Sequence, residues 1–281
     1  SPWVCQSKRE LIALDFAGFQ RQPNQRTIQG ELEAALGRLE GEIPVVYGAG
    51  RTDSGVHAVG QVVNFFSKED LPVSAYLKGL NTLLPDDLKV KKVAFVSKDF
   101  HARKSAKAKE YHYWLRLSET PSPIGIKALW LSETLDITAM AEALKHFEGR
   151  HDFQGFRSTG SSVESSIRTV YQTGSRQIGD LVVFSITADG FLYNMVRIIM
   201  GTLLEVGRKR LSANIIPEII QSLNRSRAGT TAPATGLYLY QVYYHQELEF
   251  LFNKNSHQST VSNQNSIELK RNNLDIIGYF T

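Results

Sequence analysis

The sequence predicts an α+β protein. It reads as two tandem β-α-β-β-α-β halves with antiparallel-rich sheets, dividing near residues 100–108, with an active-site cleft between them. Two observations carry this. Short β-branched and aromatic runs alternate with longer segments whose apolar residues recur at helical spacing. The same element order then appears twice, with a hairpin at the centre of each half.

In chain order, Arg9 to Phe16 reads as a strand. The loop from Ala17 to Arg26 is rich in Gln, Arg and Asn, and Thr27 is a suitable N-cap for the helix that follows. Ile28, Leu32, Ala35, Leu36 and Leu39 form that helix's apolar stripe. Pro44 to Tyr47 and Gln61 to Phe66 read as strands around a loop. Pro72 to Leu84 is a second helix, closed by Pro85-Asp86-Asp87, and Leu88 to Val96 is a strand. This order is the split βαβ, or ferredoxin-like, pattern.

The second half repeats it. Glu110 to Leu117 is a strand, with an added short strand near Trp130. Ile137 to Phe147 is a helix behind Asp136. Arg168 to Ser175 and Leu181 to Ala188 form a hairpin. Phe191 to Val206 and Ser212 to Leu223 are helices, and Leu237 to Tyr244 closes the half. The expected domains are therefore 1–104, carrying the central loop, and 105–245. Residues 246–281 form an Asn/Gln/Ser-rich tail, expected to be weakly folded.

Composition narrows the function classes. Of 281 residues, 42% are apolar, which suits a globular core. A single cysteine, Cys5, leaves no disulfide framework or cysteine-based zinc site. The seven histidines match no ligand spacing, and His146 and His151 around Glu148 read as a polar loop. No metal and no cofactor is expected. No run is apolar enough for a membrane span, so the expected compartment is the cytoplasm. The chain begins with Ser1 rather than Met, which leaves an organelle open.

Net charge is +4, unevenly spread. Residues 97–117 and 197–227 each carry six basic and two acidic residues, a combined +8 that leaves the remainder at −4. Two basic patches on a slightly acidic body suit a polyanion.

The most unusual stretch is Gly48-Ala49-Gly50-Arg51-Thr52-Asp53-Ser54-Gly55-Val56-His57-Ala58. The equivalent turn of the second half takes a few residues, whereas this one runs from Gly48 to Gly60. Folding alone does not require the insertion, and inserted loops on rigid scaffolds are where chemistry tends to sit. A phosphate cradle would need a Gly-Lys-Ser/Thr ending. An aspartic-protease reading of Asp53-Ser54-Gly55 would need a second such triplet to share the proton. A plain glycine-rich hairpin loop whose Asp caps its own backbone stays open on residue types alone.

The spelling Gly50-Arg51-Thr52-Asp53-Ser54-Gly55-Val56-His57-Ala58 followed by Gln61-Val62-Val63-Asn64-Phe65 resembles the signature of the A family of tRNA pseudouridine synthases. Further matches are Phe100-His101-Ala102-Arg103 with Lys109-Glu110-Tyr111-His112-Tyr113, Gly149-Arg150-His151-Asp152-Phe153, Phe191 to Arg197, and Gly236-Leu237-Tyr238-Leu239. The resemblance covers residues 9–244. It departs where Asp15-Phe16-Ala17 directly precedes Gly18-Phe19-Gln20, a few residues shorter than the family pattern.

The resemblance implies that Asp53 is the catalytic carboxylate, Arg197 its neighbour and Tyr111 the ring against the target uracil. Leu237 would be the apolar residue nearby. Arg51 would fill the space of the flipped base or hold phosphate, and Arg103 and Lys104 would bind RNA backbone. Arg197 also stands out by itself, since an arginine on an otherwise apolar helix needs an acid. Tyr113, Phe153 and Phe156 read as structural. The implied function is conversion of uridine to pseudouridine in the tRNA anticodon arm, at positions 38 to 40. The implied partners are tRNA and a second copy of the chain, with no membrane and no metal. The rival is a non-catalytic RNA-binding protein on the same scaffold, favoured by the shortened loop.

Overall fold

The computed structural model describes residues 16–69, 71–120, 127–160, 163–244 and 275–280. The chain forms two compact units. Unit 1 comprises residues 1–51, 60–107 and 242–281. Unit 2 comprises residues 52–59 and 108–241.

In unit 1, helix α1 (Ile28–Glu40) starts at Thr27, whose hydroxyl accepts the Gly30 N–H at 3.2 Å, and stops at Gly41 in the left-handed region. Strands β1 (Tyr47–Gly48) and β3 (Gln61–Phe66) pair antiparallel. Helix α2 (Val73–Leu83) and strand β4 (Val90–Val96) follow, with β2 (His57–Ala58) belonging to unit 2. Leu32, Leu36, Phe65, Tyr76 and Leu80 fill the core of the unit.

The sheet order in unit 1 is β1, β3, β11, β4, where β11 is Asp275–Phe280. The tail expected to be weakly folded thus supplies a central strand, antiparallel to both neighbours. The reason is local. Asn, Gln and Ser dominate up to Asn273, but Asp275-Ile276-Ile277-Gly278-Tyr279-Phe280 is β-branched and aromatic. The expected strand from Arg9 lies, up to residue 15, outside the described residues, as does residues 246–274 of the tail.

Unit 2 holds β5 (Ala108–Leu117), β6 (Leu129–Leu131), α3 (Ile137–Lys145), β7 (Gly149–Asp152), β8 (Ile167–Ile178), β9 (Leu181–Ala188), α4 (Met195–Gly207), α5 (Ile216–Ser222) and β10 (Leu237–Tyr243). Its sheet runs β2, β10, β5, β9, β8, β7, with β6 parallel to β5. Helix α4 is buried on nearly all sides because Ile198, Ile199, Met200, Leu203 and Leu204 leave no polar face to solvent. It begins at Met195, not Phe191. The preceding Asn194 has a left-handed backbone that ends helical geometry there.

Candidate active site

The glycine loop divides between the units. Its foot stays in unit 1, where the buried Gln61 side chain accepts the Gly50 N–H at 3.1 Å and donates to the Gly50 carbonyl at 2.7 Å. Gly48 is required there, because a Cβ would enter the Phe19 ring at 2.3 Å.

Residues Thr52 to Val59, expected in the N-terminal half, pack as part of unit 2. Two ties explain this. The Val56 side chain, 3% exposed, sits in the core of unit 2. Strand β2 pairs parallel to β10, with His57 opposite Tyr238 and the Val59 N–H donating to the Leu239 carbonyl at 2.9 Å. Burial pushes the His57 imidazole down to about 4, and its ring lies 4.7 Å from that of Tyr238. His57 is therefore a neutral anchor for the loop.

Between foot and anchor, the Val56 N–H donates to the Asp53 carbonyl at 3.1 Å and closes a turn. Gly55, its third residue, has φ 76, as a type II turn requires. The turn presents the Asp53 carboxylate half-exposed, 3.9 Å from Arg197 Nη1. Burial raises the carboxyl above the usual range and the Arg197 charge opposes this. Of the two influences desolvation is the larger.

Arg197 is held from two other directions. Its Nε donates to the Ala232 carbonyl at 2.7 Å and its Nη1 to Asn194 Oδ1 at 3.0 Å. The Ala232 N–H returns a bond to the Arg197 carbonyl at 3.0 Å. This segment can reach α4 because Gly201 has no side chain. A Cβ there would stand 1.6 Å from the Thr230 carbonyl oxygen.

Asn194 was not singled out by the sequence. Its φ of 60 is uncommon for a residue with a side chain. Its amide accepts from Arg197 and donates to Ser158 Oγ at 3.0 Å. An asparagine immediately before an apolar helical run is the signal that could have found it.

Tyr111 lies on β5 and packs edge-on against Phe191, centroids 4.9 Å apart. Burial and the Asp53 charge hold its phenol well above the usual value. It stays protonated at neutral pH and can donate a hydrogen bond. Leu237 is 7% exposed and part of the core that receives Val56. Tyr113, read as structural, is 1% exposed and donates to the Pro233 carbonyl at 2.7 Å. Phe153 and Phe156 are fully buried with Phe147.

Unit 2 thus brings together Asp53, Arg197, Tyr111 and Leu237. Arg51, Arg103 and Lys104 are exposed and belong to unit 1. The His101 ring accepts the N–H groups of Arg103 and Lys104, which shapes that basic turn. Among the described residues, no group of three or more His, Cys, Asp or Glu could hold a metal ion, and no helix is long and apolar enough to cross a membrane.

Comparison with known proteins gives one consistent result. The family model described as tRNA pseudouridine synthase matches residues 13–103 and 143–245. A protein of Acetivibrio thermocellus named tRNA pseudouridine synthase A is 46% identical over 236 residues, covering 84% of this chain and 97% of that one. Proteins of the same name are similar at 43% in Oceanobacillus iheyensis, covering 83% and 93%, and at 45% in Anoxybacillus flavithermus, covering 82% and 94%.

Proposed function

The chain belongs to the tRNA pseudouridine synthase family, and from that membership we propose that it acts on the anticodon arm of tRNA, at positions 38 to 40, with Asp53 as its reacting carboxylate. It is an isomerase that converts uridine to pseudouridine in tRNA. The observation that carries the assignment of Asp53 is its placement. It is a half-exposed carboxylate on a turn anchored at both ends, facing an arginine fixed by two other bonds.

The reaction breaks the bond from uracil N1 to ribose C1′ and forms one from C5 to C1′. The C5 proton leaves, a proton arrives at N1, and the atoms balance with no oxidant or reductant. The target nucleotide must first leave the base stack. Asp53 attacks the sugar or faces the electron-poor C1′, which its negative charge stabilises. Arg197 holds that carboxylate in place. Tyr111 offers its ring face to the uracil and its protonated hydroxyl to a base edge. Arg51 and the Arg103–Lys104 turn hold phosphate. A homodimer and a cytoplasmic location belong to the same reading.

The experiment is tritium release from tRNA labelled at uracil C5. Release that scales with enzyme and maps to the anticodon arm is expected. Binding without any release would instead favour a non-catalytic RNA-binding protein.

A further inference from the structure

Unit 2 contains a second polar site that the reaction does not use. It is an open groove of ≈ 730 Å³. One wall is the 3-10 turn Gln154–Phe156 and the residues after it, with Gln154, Arg157 and Ser158 lining it. The other is the turn after α5, with Ser222, Asn224 and Arg225. Gly155 lets the walls meet, since its Cβ would stand 3.3 Å from the Asn224 nitrogen.

Among the described residues, two guanidinium groups line this groove and no carboxylate does. Among the described residues neither Arg157 nor Arg225 forms an ion pair. Arg225 is pre-oriented, donating to the Gly229 carbonyl at 2.9 Å and the Ala228 carbonyl at 3.4 Å. Burial alone lowers its pKa, with no acid to offset the cost of desolvating its charge. Leu223 is 45% exposed and closes α5 with φ 54, the left-handed conformation in which helices commonly end. An exposed apolar residue beside two guanidinium groups in one open groove suits an anionic ligand.

The groove is wired to the active site. Ser158, on its wall, accepts from Asn194 Nδ2. The oxygen of the same amide accepts from Arg197, which faces Asp53. We propose that this groove binds a backbone phosphate of the RNA substrate, at a nucleotide other than the one isomerised, and that Ser158 and Asn194 join that anchor to the Arg197–Asp53 pair. The inference rests on the tRNA reading above. A phosphodiester fits because guanidinium groups bind phosphate oxygens in pairs and hydroxyls supply the remaining donors. Leu223 then meets the sugar or base beside it.

The test is tRNA affinity against salt concentration for the wild-type chain, Arg157→Gln, Arg157→Lys and Lys145→Gln. The last removes one exposed charge at the end of α3, outside the groove lining. Loss of one phosphate contact should weaken binding several-fold and reduce the slope of log affinity on log salt by about 1. Arg157→Gln should show this, and Arg157→Lys should keep the slope while losing the paired geometry. Equal slopes for wild type and Arg157→Gln would overturn the proposal. So would an equal loss in Lys145→Gln, which would mean diffuse charge attraction. Tritium release by the same wild-type preparation is scored separately. Its absence alongside a groove-dependent slope would count against the enzymatic reading alone.

Discussion

Arg197 Nη1 lies 3.9 Å from Asp53 Oδ2, yet the short bonds of that guanidinium go to Ala232 and Asn194. The arginine is thus fixed by the fold before it meets the carboxylate. It faces the acid at a distance that leaves the carboxylate half-exposed. With Asp53 in the proposed role, such preorganisation would place charge where it develops during reaction and avoid reorganisation at that moment.

The carboxylate is held at some cost to stability. Its folded pKa is raised above the ordinary 3.8, chiefly by burial, so the fold favours the protonated form. Stability from that preference is present below 3.8 and lost as pH rises through the raised value. Asp53→Asn should therefore raise Tm at neutral pH, and the gain should shrink as pH falls toward 3.8. Thermal melts across that range check it, and an unchanged or lower Tm at pH 7 would count against the burial argument. By the same sign, wild-type turnover should fall on the acid side at a pH above 3.8.

His57 should make the loop anchor sensitive to acid. Its folded pKa near 4 lies below the ordinary 6.5, so the neutral ring stabilises the fold above 6.5 and that stability is lost as pH falls toward 4. The loss is about 3 kcal/mol at most, from the size of the shift. Urea melts at several pH values should show a decline across this window that His57→Gln flattens. An identical pH profile in the variant would remove His57 from the account.

Gly201→Ala tests the route by which Ala232 reaches Arg197. The added Cβ meets backbone, not a flexible side chain, so the segment from Gly229 to Ala232 must move. Overpacking of this sort costs about 1–3 kcal/mol. Turnover should fall more than the stability change alone explains, because Arg197 loses its Ala232 acceptor. A stable variant with wild-type tritium release would show that this docking is unimportant.

Much of the site was legible. The glycine loop stood out as a long insertion between two strands, and Arg197 as the one basic residue on a mostly apolar helix. Asn194 was hidden because its role depends on one backbone angle, which composition does not report. The allocation of Thr52 to Val59 to unit 2 was also hidden, since it follows from where Val56 finds a core and β2 finds β10. Periodicity gives a strand's faces, not its neighbours. The same limit concealed β11. Its six residues were outweighed by the polar stretch before them, and their place between β3 and β4 is a long-range pairing.

On the proposed function, Asp53 carries the reaction. Asp53→Asn keeps the shape of the side chain but cannot attack the sugar or offset positive charge at C1′. Binding should largely survive, because phosphate contacts dominate affinity for nucleic acid. The direct measurement is C5 tritium release by purified Asp53→Asn under single-turnover conditions, with tRNA binding confirmed in the same sample. Bound tRNA and no release above background are expected. Release near the wild-type rate would contradict that role and assign the chemistry to another residue.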